Sequence, residues 1–235
     1  MSNEYFKFKQ FCVCQHRCAM KVGTDGTLLG AWAAAPKGKC RILDIGTGTG
    51  LVTLMMAQRF PEAWLTGIDI DEEAVLQASD NVKASPFADR IRIEWGNVLT
   101  YEAEPFDAIV CNPPYFVGSL TCPDKARTMA RHTVSLTYSG LMEAARRLLG
   151  DDGLLTIVIP SDSYPIVESE AALAGLFLSR IHAVKTVQRK PPKRLLIELK
   201  KHPVAEIDRQ EHVLEESPGI RSEWYDELTK DFYIK

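Results

Sequence analysis

The chain has 235 residues, of which 46% are hydrophobic and 25% charged, and a formal net charge of -3. This length suits one α/β core with small appendages, and no apolar run approaches the ~18 residues of a membrane span, which excludes a membrane protein. The start, Met1-Ser2-Asn3-Glu4-Tyr5-Phe6, lacks the basic-then-apolar pattern of an export signal, so a reducing cytoplasm with the six cysteines as thiols is expected.

In chain order, residues 1–36 read as an N-terminal cap. Alternation in Tyr5-Phe6-Lys7-Phe8-Lys9 predicts a short strand, and 24–35 predicts a helix entered through Gly23-Thr24-Asp25-Gly26. Cys12, Cys14, His16 and Cys18 resemble metal ligands, but they lack the C-x-x-C pair of a zinc site; alternation along a cap strand accounts for them, and no metal is expected. Residues 37–202 form the expected core of a single domain. Apolar runs at 41–45, 64–68, 91–95, 108–111 and 154–159 predict buried parallel strands, and 51–60, 71–83, 135–149 and 164–177 have helical spacing. This βα alternation predicts a Rossmann-like doubly wound sheet. Two further strands, 178–188 and 194–200, are joined by a turn too short for a helical crossover. They should pair antiparallel, giving a mostly parallel seven-stranded sheet with an antiparallel last strand.

Charge is uneven along the last third. Lys185, Arg189, Lys190, Lys193, Arg194, Lys200 and Lys201 stand against Glu198 alone, a local balance of +6; residues 203–235 follow as an acidic tail, which from Glu206 to Asp231 holds nine acids against Arg209, Arg221 and Lys230. The basic stretch is either a face for an anionic partner or a solvated strand and turn.

Three constellations carry chemistry. Leu43-Asp44-Ile45-Gly46-Thr47-Gly48-Thr49-Gly50 is a strand ending in a glycine turn before a helix. Its spacing is G-x-G-x-G, and residue 51 is leucine where a dinucleotide fingerprint would place glycine. With Asp44 two residues ahead of Gly46, it resembles the S-adenosylmethionine loop of Rossmann-like methyltransferases, in which this turn approaches the methionine part of the cofactor. Asp69 ends the next strand, where a carboxylate can accept both ribose hydroxyl protons, and Ile70 would lie on the adenine. At the third strand end, Gly96-Asn97 stands where related enzymes often carry Gly-Asp on the adenine amine.

The third constellation is Asn112-Pro113-Pro114-Tyr115 at the end of a buried strand. Two prolines make a stiff turn without competing amide hydrogens. An adenine amine or a glutamine amide is a poor nucleophile because its lone pair is delocalised. If the Asn112 side-chain oxygen and the Pro113 carbonyl accept its two N–H bonds, the nitrogen is held in line for methyl transfer and favoured as pyramidal. Tyr115 would stack on the base or amide plane, which for a nucleobase is worth roughly 1–3 kcal/mol. Arg131-His132 either touch a substrate phosphate or cap the helix expected from Ser135.

Over most of its length the chain resembles the bacterial tRNA1(Val) (adenine(37)-N6)-methyltransferases. The resemblance rests on Met20-Lys21-Val22-Gly23-Thr24-Asp25-Gly26 with Leu28-Leu29-Gly30-Ala31-Trp32, on Asn112 to Phe116, on Arg131-His132 and on Lys190-Pro191-Pro192-Lys193-Arg194. It implies S-adenosylmethionine as methyl donor, Lys21, Thr24 and Asp25 in a lid on that cofactor, and a cytoplasmic monomer. The substrate it implies is the adenine beside the anticodon of a valine tRNA, turned outward to reach Asn112. Pro114, Phe116, Arg131, His132, Lys190, Lys193 and Arg194 then fall on the substrate side. The rivals are glutamine methylation of release factors, which poses the same planar-nitrogen problem, DNA adenine or ribosomal guanine methylation, and a nicotinamide-dependent oxidoreductase; the length of the cap argues against the first, and Leu51 with the double proline against the last.

Overall fold

The computed structural model describes residues 4–18, 20–114 and 136–234. The chain opens with a hairpin, β1 (Tyr5–Lys7) and β2 (Cys12–Cys14), followed by α1 (Thr24–Trp32). Strands β3 (Arg41–Ile45), β4 (Trp64–Asp69) and β5 (Ile91–Trp95) then alternate with α2 (Leu51–Arg59) and α3 (Glu72–Lys83). After β6 (Phe106–Cys111) come α4 (Tyr138–Leu148), β7 (Leu149–Pro160), α5 (Tyr164–Leu173), β8 (Phe177–Val187) and β9 (Arg194–Lys200). The chain finishes with β10 (Asp208–Ser217), β11 (Ile220–Arg221) and α6 (Glu223–Thr229).

The main sheet has the order β11-β10-β8-β9-β7-β6-β3-β4-β5. Strands β3 to β7 are mutually parallel where they pair, and β9 lies antiparallel between β7 and β8. The chain leaves β3 toward β5 in one direction and returns through β6 and β7 in the other, so a crevice opens at the strand carboxyl ends between β3 and β6. Period two puts Leu196 on one face with α1, α2 and the hairpin, while Leu195, Ile197 and Leu199 join α4 and α5 on the other. Both faces are therefore covered, as a parallel sheet requires. At the head of α3, Asp71 accepts from Glu73 N–H at 3.0 Å, and Glu72 and Glu73 sit in the first turn, where the helix dipole favours acids.

Two expectations need correction. Among the described residues the main sheet has nine strands, not seven, and the acidic tail is not a tail: it forms β10, parallel beside β8, together with β11 and α6. The run Asp208-Arg209-Gln210-Glu211 lacks an apolar period because that strand sits near the sheet edge with only Leu214 buried. It is held by cross-strand pairing, by the Lys185–Glu211 ion pair, and by an aromatic cluster reaching the cap. There His182 Nδ1 accepts from Trp32 Nε1 at 2.9 Å, which leaves the proton on Nε2, 3.2 Å from Asp208 Oδ2; His212 stacks on Trp224 with ring centroids 4.0 Å apart. The two ends of the chain also meet. Lys9 N–H donates to the Phe232 carbonyl at 2.8 Å, and Phe8 stacks on Tyr233 at 5.9 Å.

Candidate active site

A cavity of about 880 Å³ opens at the crevice, walled by the ends of β3, β4, β5 and β6 and, from the cap, by Cys18, Met20, Lys21 and residues 23–26. Its floor is the glycine turn. Gly46, Gly48 and Gly50 have φ of 69°, 54° and 80°, the left-handed region that only glycine enters without strain, which is what the G-x-G-x-G spacing supplies. A Cβ at Gly46 would meet nothing within 4 Å, so the turn borders open space. Gly50 instead faces α3, where a Cβ would come within 3.4 Å of Ala78; it shapes the turn and does not line the cavity.

Asp44 is 2% exposed and directs one oxygen, Oδ2, to Thr47 Oγ1 (2.9 Å), Thr53 Oγ1 (2.6 Å) and Thr53 N–H (3.1 Å). Burial pushes its carboxyl up to about 6, against the opposing effect of these hydrogen bonds. Its polar contacts thus clamp the loop to the first turn of α2. Thr47 lies so close to β4 that a Cβ on Gly67 would meet its hydroxyl at 2.8 Å. Asp69 caps the next strand end, with Oδ2 accepting from Gly48 N–H at 2.8 Å and Oδ1 from Asp71 N–H at 3.0 Å. Each oxygen keeps acceptor capacity, and burial raises its pKa. Ile70, half exposed, and Asn97 line the same end, where Asn97 Oδ1 accepts from Leu99 N–H at 3.0 Å in a turn that an aspartate would also make.

At the other end of the cavity β6 stops at Asn112, with Pro113 buried and Pro114 exposed. Asn112 Oδ1 is buried and has no hydrogen-bond partner among the described residues. An acceptor left so costs about 1–3 kcal/mol, which native structures bear where a ligand will meet it. The cap helix presses against this residue: a Cβ on Gly26 would lie 3.9 Å from Asn112 Nδ2 and 3.1 Å from Leu51 Cδ2. Cys111, fully buried just before it, has its thiol pushed well up by burial and then by the Asp44 charge, so it is an inert core residue.

Of the residues singled out in the sequence, Lys21, Thr24, Asp25, Asp44, Gly46, Gly48, Asp69, Ile70, Asn97, Asn112, Pro113, Pro114 and Arg194 line one cavity. Lys190 and Lys193 are exposed on the turn outside it, and Tyr115, Phe116, Arg131 and His132 lie outside the described residues. Asp25, expected in the cofactor lid, is ion-paired with Arg194 Nε. Sequence reasoning passed over Thr53, which closes on Asp44 from α2, and the apolar wall of Leu51, Val52, Val98 and Leu99. Only the threonines of the glycine turn hinted at that network. Among the described residues no group of three His, Cys, Asp or Glu side chains could hold a metal, and no helix is long and apolar enough to cross a membrane.

Known proteins sharpen the picture. The methyltransferase small domain family matches residues 26–185, more than half of the chain. A tRNA1(Val) (adenine(37)-N6)-methyltransferase of Bacteroides thetaiotaomicron is 46% identical over 100% of this chain and 99% of its own length. Its namesake in Tolumonas auensis is 41% identical over 100% and 99%. Among solved structures, a predicted O-methyltransferase from Agrobacterium tumefaciens shares the fold with a TM-score of 0.70 at 18% identity, over 88% of this chain and 96% of that one. TrmN from Thermus thermophilus aligns with a TM-score of 0.52 at 20% identity, over 71% and 45%. The oxidoreductase reading falls with these matches. The open space above the glycine turn and the free acceptor capacity of Asp69 fit S-adenosylmethionine, and the chain belongs to the tRNA1(Val) (adenine(37)-N6)-methyltransferase family of S-adenosylmethionine-dependent enzymes.

Proposed function

We propose that this chain, acting as a cytoplasmic monomer, methylates N6 of an adenine in tRNA, with adenine 37 beside the anticodon of a valine tRNA as its target. The observation that carries the reading is the buried Asn112 Oδ1 just past the end of β6, which has no partner among the described residues. Bound in the cavity, S-adenosylmethionine supplies an electrophilic methyl group. Asp69 accepts the ribose hydroxyl protons, Ile70 and Asn97 border the adenine, and Gly46 and Gly48, with Lys21 and Thr24 from the cap, enclose the methionine part.

The substrate adenine, turned out of its loop, offers its amine to Asn112. One N–H donates to Asn112 Oδ1 and the other to the Pro113 carbonyl, which fixes the nitrogen and draws its lone pair out of conjugation. Once methylated the nitrogen is acidic and its proton passes to solvent. Tyr115 and Phe116, next in the chain, supply the stacking surface, and Pro114 stiffens the turn between. Arg131 and His132 serve the flanking backbone. Arg189, Lys190 and Lys193, exposed and without an ion-pair partner among the described residues, attract the tRNA phosphates.

The test is to incubate the protein with labelled S-adenosylmethionine and, separately, total tRNA, DNA and release factor, then to digest the product and identify the modified unit by mass. N6-methyladenosine in a valine tRNA is the expected result. Label in glutamine or in DNA overturns the reading.

A further inference from the structure

Arg194 opens β9 and is the only member of the basic turn that lines the cavity. Its side chain is 24% exposed, and that of Asp25, in the first turn of α1, is 16% exposed. Arg194 donates to Asp25 through Nε alone. Among the described residues the two terminal nitrogens of the guanidinium have no acceptor, so its bidentate end is unspent. A carboxylate that grips Nε fixes the plane of the group while leaving the fork that matches a phosphate.

Position decides which anion that fork meets. The glycine turn and Asp69 belong to β3 and β4, and Asn112 to β6; β9 lies two strands beyond β6 in the opposite direction. Two strand spacings, about 10 Å, separate it from the Asn112 strand, comparable with the distance between the amine of an adenine nucleotide and its own phosphate. With the methionine part of the cofactor on the glycine turn, as proposed above, its carboxylate would fall on the β3 side of Asn112. Asp25 adjoins Gly26, which packs on Asn112, so the pair also ties the amine-holding residue to the turn that leads out to Lys193.

We propose that Arg194 binds a phosphate of the target nucleotide, and that Asp25 is a positioning residue which orients this guanidinium and does not hold the cofactor. The assignment rests on the tRNA reading above. Asp25 then acts on RNA through Arg194, and its loss has no effect once Arg194 is gone.

The experiment compares D25A, R194A and the double variant with the parent, using steady-state kinetics on the tRNA, calorimetry with S-adenosylmethionine, and thermal melting; D25N and R194K serve as conservative versions in case an alanine variant does not fold. Each single variant should raise KM for tRNA about tenfold, the loss of one charge-assisted contact, with kcat changed less and the cofactor Kd within twofold. The double variant should be no worse than R194A. R194K, which keeps the charge but loses the fork, should recover only part of the affinity. A weaker cofactor Kd in D25A with an unchanged tRNA KM would return Asp25 to the cofactor lid and overturn the proposal, as would additive effects in the double variant or no change in either constant. Failure of the underlying reading would look different, as a parent enzyme that transfers no methyl group to tRNA.

Discussion

On the β3–β4–β5 side of the cavity the protein meets its own polar groups. Thr47 and Thr53 clamp Asp44, Gly48 and Asp71 amides hold Asp69, and Asn97 closes a turn on Leu99. On the β6–β9 side the groups wait: among the described residues Asn112 Oδ1 is buried without a partner, and Arg194 shows an unspent fork. The first half is shaped before anything binds and suits a small ligand of fixed form. The second carries a desolvation cost that, on the reading proposed above, the transferring amine and its phosphate relieve, so the binding energy of the large substrate is spent at the reacting centre.

The sharpest break of this contrast is N112A. It removes the waiting acceptor and should lower kcat by about 10²–10³-fold, while the cofactor Kd stays within twofold and the melting temperature does not fall. A large loss of cofactor affinity would erase the division between the halves. On the clamped side, Asp44 titrates at about 6 in the fold against an ordinary 3.8. The fold therefore favours its protonated form, and the stability this contributes is full below pH ~4 and lost as pH rises through about 6. D44N abolishes that dependence, so its stability relative to the parent, followed by urea unfolding, should improve by up to about 3 kcal/mol from pH 4 to pH 7. A flat difference would mean that the clamp, not the burial, governs this carboxyl.

D69A should weaken cofactor binding by about 1.5–3 kcal/mol in calorimetry, with the tRNA KM at saturating cofactor little changed. Smallest is the effect of K190A/K193A. KM for tRNA should rise several-fold, and the slope of its logarithm against log salt should flatten by roughly one per lost phosphate contact. If neither moves, the turn is solvated surface and the waiting side ends at Arg194.

Local pattern carried much of this. Three glycines with positive φ, an acid at the end of the next strand and a double proline after a buried strand are short-range features, and each is where the spacing predicts. What escaped is long-range or unpatterned. Asp25 and Arg194 are 169 residues apart, and nothing at either position signals the other. Thr53 falls within an ordinary helical run. Strand β10 is charged on half of its length because its neighbour β8 and the solvent, more than an apolar layer, account for its sides. The expectation of an acidic tail followed composition and missed the strand that pairing with β8 supports.

The meeting of the two ends of the chain has a consequence in time. Lys9, Phe8 and Trp32 are made well before their partners Phe232, Tyr233 and His182. The cap thus cannot finish packing until those later partners have been made, by which time the glycine turn and Asn112 are already present in the chain. The cap is therefore secured by contacts between groups far apart in sequence, which no local stretch of the chain can form by itself.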